Sequence, residues 1–275
     1  MLSVNTNVGA LFAAHSSNKV NKSMETSMAR LSSGKRINSA SDDAAGIQIV
    51  NRMDAEIRGL NQAVRNAADA QAYLQTTEGA MEEVHTILLR IRELAVQASN
   101  GTYTSQDRVA LQAEVSDLQS EINRIATDTT FNNIGVLSGA ASTGITFQVG
   151  ADNTQTMTVS IPRITISAAG INISTTNQLS TQAAAMNYIS TIDSAISLIS
   201  TNRGTYAAAM NRLDHAIANM QNVATNLSMA KGRIEDADFA AETSNLARVQ
   251  VLQQASMAML AQANASKQNI LSLFQ

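Results

Sequence analysis

Written as a helix, residues 246–275 put Val249, Leu252, Met259, Ala263, Ile270 and Leu273 on one seam, at steps of three, four and seven. Val251, Ala255, Met257, Ala258, Leu260 and Ala261 place apolar side chains on the remaining faces, and only Arg248 and Lys267 carry charge. A helix that is apolar nearly all round has to be buried on several sides. A chain end is where a single domain normally has least to pack against. The burial is therefore expected to come from other copies of the same chain, and this stretch reads as an assembly element. Residues 3–31 mirror it, with Val4, Val8, Leu11, Val20, Met24, Met28 and Leu31 on one side and no Lys, Arg, Asp or Glu before Lys19. The residues expected to carry self-assembly are Val4, Val8, Leu11, Val249, Leu252, Met259, Leu260, Ile270, Leu271 and Leu273.

Between the ends the helical period dominates. Gly34 reads as a helix stop followed by basic Lys35 and Arg36, and Ser39 or Ser41 as the cap of a new helix with Asp42 and Asp43 in its first turn. Val50, Met53, Ile57, Leu60, Val64, Ala67 and Leu74 then hold a seven-residue repeat. It resumes past Gly79 at Met81, Val84, Leu88, Ile91, Ala95 and Ala98, so a stutter is expected near Thr77. After Asn100-Gly101-Thr102 a shorter helix carries Leu111, Val115, Leu118, Ile122 and Ile125, antiparallel to the first.

From Phe131 to about Gln178 the texture turns to Gly, Ser, Thr, Asn and β-branched residues. Residues 146–149 and 156–161 flank Gly150-Ala151-Asp152-Asn153 and read as a β-hairpin, with a second extended pair expected around Ala169-Gly170. Helix then returns, with Ile189 to Ile234 in one heptad register and Arg203 in a seam slot. The expected fold is mainly α: a long antiparallel helical rod or coiled coil with a small β-hairpin region at the chain midpoint. The expected division is residues 1–40 with 236–275 as paired terminal helices, and 41–235 as a helical domain with its β tip at about 140–176.

Several function classes are disfavoured. A net charge of -3 gives no basic footprint for nucleic acid. No window of some eighteen apolar residues occurs, the termini lack the cationic face of a membrane-lying helix, and the N-terminus has no Sec-type signal features, so no membrane partner is expected. Cysteine is absent, which removes disulfides and thiolate metal sites. There is no G-x-S-x-G, Walker or G-x-G-x-x-G motif; Glu82 and His85 make one Glu-x-x-His step without the partners a di-iron bundle needs. Asp236 and Asp238 read as first-turn carboxylates after a break at Gly232. No cofactor, metal or catalytic residue is expected.

The segment Leu-Ser-Ser-Gly-Lys-Arg-Ile-Asn-Ser-Ala-Ser-Asp-Asp-Ala-Ala-Gly at residues 31–46 resembles bacterial flagellin. So do Thr76-Thr77-Glu78-Gly79-Ala80, residues 92–97, residues 233–239 and the C-terminal 260–264 and 269–273. The resemblance covers nearly all of 1–135 and 180–275. It implies a structural subunit of the flagellar filament, secreted through the flagellar type III apparatus, with termini paired as an inner coiled coil and the long helices in the next layer. The implied partners are other copies, an export chaperone, the filament cap and hook-junction proteins. A hook-filament junction protein, with related termini, is the alternative. Only about forty-five residues separate the helical halves, so the variable outer domains are missing and no enzymatic insert fits. The resemblance also implies recognition by a Toll-like innate receptor through Arg90, Arg92, Glu93, Leu94 and Glu114, with Leu89 standing where that pattern has Gln.

Overall fold

In the computed structural model residues 6–139, 142–167, 170–173 and 178–272 are described, with side chains as far as residue 266. Five helices and two small antiparallel hairpins follow one another among them: α1 Val8–Ser33, α2 Ala44–Ala98, α3 Ser105–Asp128, β1 Thr130–Phe131, β2 Ile134–Gly135, β3 Ile145–Gln148, β4 Thr156–Val159, α4 Gln182–Glu235 and α5 Phe239–Ser272. The fold is mainly α, as the periodicity predicts. The chain divides into two compact units, Met1–Ile57 with Thr225–Gln275, and Arg58–Ala224.

In the central unit the polar pairs between α2 and α4 fix an antiparallel alignment. Gln71 donates to Asp214 at 2.5 Å, Arg203 to Glu78 at 2.6 Å and Arg92 to Asp193 at 2.7 Å, so partners on α4 descend as positions on α2 rise. Arg203 thus keeps its seam slot by meeting a carboxylate. The stutter expected near Thr77 does not exist. From Ala63 the buried positions run Ala67, Ala70, Leu74, Thr77, Met81, Val84, Leu88, Ile91, Ala95 and Ala98, at unbroken steps of four and three. Thr77 occupies a core position because its hydroxyl donates back to the Tyr73 carbonyl at 2.9 Å, which leaves its methyl group for packing.

Helix α3 starts on a capping box, with the Thr104 side chain and Asp107 satisfying each other's backbone N–H groups. Its buried stripe is Val115, Gln119, Ile122 and Ala126, so Gln119 and Ala126 replace the expected Leu118 and Ile125, which are half-buried. Gln119 can enter the core because its amide donates to the Ile173 carbonyl and to the Tyr188 hydroxyl, each at 2.8 Å. On α4, Ile192, Ile199, Tyr206, Leu213 and Met220 hold the seven-residue repeat, while its other stripe is Tyr188, Ala195 and Ala209 rather than the half-buried Ile189, Ile196 and Met210.

The hairpin expected at 146–161 forms as β3 and β4, in register Ile145↔Val159 through Gln148↔Thr156. It lies along α2: Asn66 donates to the Gln148 carbonyl, Phe147 stands 6.1 Å from the Tyr73 ring, and a Cβ on Gly59 would sit 3.1 Å from that of Ala151. The second extended pair does not form among the described residues. Instead Ile171 N–H closes onto the Thr165 carbonyl, and the segment runs back along α3 through Ile166 to Asn123, Ile173 to Gln119 and Leu179 to Gln112. The β1–β2 hairpin was not anticipated; Asn132 and Asn133, at φ 50° and 62°, supply the left-handed pair of a two-residue turn.

Candidate functional site

In the terminal unit α1 begins at Val8, not at residue 3. Asn7 caps it, accepting from the Ala10 N–H, while its amide donates across to the Ala263 carbonyl of α5 at 3.1 Å. Gln253 donates to Asn21 at 2.9 Å, and Arg30 lies 3.8 Å from Glu242. The three contacts align α1 and α5 antiparallel.

The seam between these helices is made of small and polar side chains. Ser17, Ser27 and Glu242 are buried in it, and Val20, Met24, Val249, Gln253, Ser256 and Leu260 are half-buried. Small residues let two helices approach closely and leave little room for bulk. The bulk therefore faces away. Val8 is 51% exposed, Leu11 61%, Phe12 73%, Val251 64%, Leu252 47% and Met259 66%. Phe12, Leu252, Ala255 and Met259 line an open groove along both helices. Each such side chain, once covered, contributes about 1.5–3 kcal/mol.

The structure thus separates the residues singled out for assembly. Val8, Leu11, Leu252 and Met259 lie on outer faces; Val249 and Leu260 belong to the α1–α5 seam. Val4, Leu273 and the side chains of Ile270 and Leu271 lie outside the described residues. Phe12, at 73% exposed, was missed on the outer face, whereas Val251 stands there as the apolar remaining faces of α5 predict. The signal available was the polar stripe Ser17, Asn21 and Ser27, whose spacing marks the inner side of α1.

Where the two helices leave the seam, a short junction ties them to the neighbouring helix ends. Gly34 takes φ 70°, a left-handed conformation that ends α1, and Lys35 bridges to Asp236 through Arg36 N–H to the Glu235 carbonyl at 2.6 Å and Ala237 N–H to the Gly34 carbonyl at 2.9 Å. The buried Glu235 carboxylate receives Lys35 at 2.5 Å, and Lys231 at 3.8 Å. Asp43 accepts from Gly46 N–H at the start of α2, so it is the cap, not Ser39 or Ser41. Asp42 instead accepts from Asn38 and Ser39 in the turn, which holds its carboxyl below the usual carboxylate range. Helix α4 passes through Gly232 without breaking, and Asp238 caps α5 through the Ala240 and Ala241 N–H groups.

On the central unit, Arg90 reaches Glu114 at 2.8 Å and Glu93 at 3.2 Å, all three well exposed. Glu114 first, then Glu93, holds the Arg90 guanidinium above its ordinary value. Arg92 is engaged by Asp193 on α4. Leu94 is 1% exposed and belongs to the core of this unit, so it offers no surface to a partner; the exposed neighbour is Leu89, at 42%.

Residues 4–142 match the bacterial flagellin N-terminal helical region, and residues 189–274 the bacterial flagellin C-terminal helical region. The chain belongs to the bacterial flagellin family. A flagellin of Halalkalibacterium halodurans is 41% identical over 273 residues, covering 99% of both chains, and that of Bacillus subtilis is 38% identical with the same coverage. As a flagellin it is a structural subunit of the flagellar filament and not an enzyme. Among solved structures, a flagellar hook-associated protein of Vibrio parahaemolyticus is similar at a TM-score of 0.59 and 18% identity, covering 71% of this chain and 100% of that one. A likeness at that identity speaks for the fold alone, so the full-length identity to flagellins favours filament subunit over junction protein. Among the described residues, no helix of this flagellin is long and apolar enough to cross a membrane.

Proposed function

We propose that the outer faces of α1 and α5 are the surfaces through which flagellin copies cover one another in the filament. The observation that carries this reading is the orientation of Leu11, Phe12, Leu252 and Met259, large apolar side chains that the α1–α5 pairing leaves uncovered. The polar seam sets register within the subunit, and the apolar faces supply the attraction between subunits. In this layering, residues 1–40 with 236–275 form the inner coiled coil of the filament, and 41–235 the layer outside it.

Such a subunit is secreted to the cell exterior by the flagellar export route, with an export chaperone, the filament cap and hook-junction proteins as its partners. A Toll-like innate receptor is a further partner, and the exposed Arg90, Glu93 and Glu114 with Arg92 are the side chains available to it.

Removal of residues 246–275 tests the assembly surface. The truncated chain keeps the circular dichroism of its middle helices α2, α3 and α4 and no longer sediments as polymer after seeding. Seeded polymer from the truncated chain overturns the reading.

A further inference from the structure

The chain has no cysteine and twelve methionines, so thioethers are its only sulfur chemistry. Among the described residues Met81, Met157 and Met220 are buried, whereas Met259, at 66%, is the most exposed methionine, ahead of Met257 at 57%. It lines the α1–α5 groove beside Phe12, Leu252 and Ala255, which have no side-chain donor, with Ser16, Ser256 and Gln262 among the polar members of the lining. A thioether needs no deprotonation to react with a two-electron oxidant, and access decides which sulfur reacts first.

We propose that Met259 is an oxidation site at which peroxide-class oxidants switch off polymerisation. This rests on the reading of the outer α5 face as an assembly surface. The Met259 Sδ lone pair attacks one oxygen of hydrogen peroxide; the S–O bond forms as the O–O bond breaks. The proton on the transferred oxygen passes to the departing hydroxide, which leaves as water. Sulfur is oxidised by two electrons and the peroxide reduced by two. The product sulfoxide carries a strong acceptor oxygen that resists burial against an apolar surface. A subunit oxidised before incorporation is therefore excluded, while a subunit already in the filament has its Met259 covered.

The test treats full-length monomer and seeded filament with hydrogen peroxide and maps oxidised peptides by mass spectrometry. Met259 gains oxygen about tenfold faster in the monomer, and the oxidised monomer seeds about tenfold more slowly until methionine sulfoxide reductases restore it. Oxidised Met259→Leu loses less than about twofold against its own untreated sample, because the other sulfoxides lie off the groove. Normal seeding by wild type with Met259 fully oxidised, or an equal loss in Met259→Leu, overturns the proposal. Untreated Met259→Gln, which imitates the polarity of the sulfoxide, separates the two claims. If it seeds poorly while oxidised wild type seeds normally, only the redox switch falls. If it seeds as wild type and Met259 oxidises equally fast in monomer and filament, the assembly reading falls with it.

Discussion

Gln253 donates to Asn21 at 2.9 Å across the α1–α5 seam, a polar pin midway along two helices whose largest apolar side chains face elsewhere. The pair selects register at little gain in stability. A part-buried hydrogen bond of this kind is worth about 0.5–1.5 kcal/mol net. Gln253→Ala is expected to destabilise the terminal helices by that amount while filaments still form, read by circular dichroism of the monomer and by sedimentation. A loss of the whole terminal fold would assign the pin a larger role than its geometry supports.

Leu94 is a core residue, and Arg90 a surface one, although both lie on α2 within a single turn. Leu94→Ala is expected to destabilise the central unit by about 2–5 kcal/mol through the cavity it leaves. Arg90→Ala is expected to leave the melting temperature nearly unchanged and to reduce innate-receptor signalling by the monomer. Signalling that falls for Leu94→Ala only in proportion to its unfolded fraction fits this assignment; a fall at full foldedness contradicts it.

How far these positions could be read in advance depended on what each side chain does besides being apolar. The long helices, the β3–β4 hairpin and the Arg203 seam slot follow from period and turn chemistry. Thr77 and Gln119 broke the expected seams because a polar residue counts as outside until a backbone carbonyl or a tyrosine hydroxyl satisfies it, and those partners come from the tertiary fold. On α1 and α5 the apolar periodicity points to burial by other copies and does not say which side chains form the intramolecular α1–α5 seam. The structure gives that seam to Ser17, Ser27 and Ser256, since close approach favours small side chains. Asp43 could have been chosen over Ser39 had the start of α2 been known to within a residue.

Asp42 gives the turn between α1 and α2 a pH dependence. Ser39 and Asn38 N–H groups, then the Ser39 hydroxyl, bind its carboxylate and depress its folded-state pKa. The stability it contributes is present above the unfolded value of about 3.9 and is lost as pH falls through the lower folded value. The stability gap between wild type and Asp42→Ala should therefore close between about pH 4 and more acidic solution. A gap that stays constant over that range would show that the turn does not depend on the ionised carboxylate.

The absence of native cysteine lets a single introduced thiol report whether the outer face of α5 is covered in the filament. Leu252→Cys places a thiol on the outer α5 face, and Asn153→Cys places another on the exposed β3–β4 turn of the central unit. Alkylation is followed in the monomer and in the seeded filament. Cys at 252 is expected to react about tenfold or more slowly in the filament while Cys at 153 keeps its rate, because an outer face covered by neighbouring copies excludes the reagent. Equal rates at 252 in monomer and filament would contradict it.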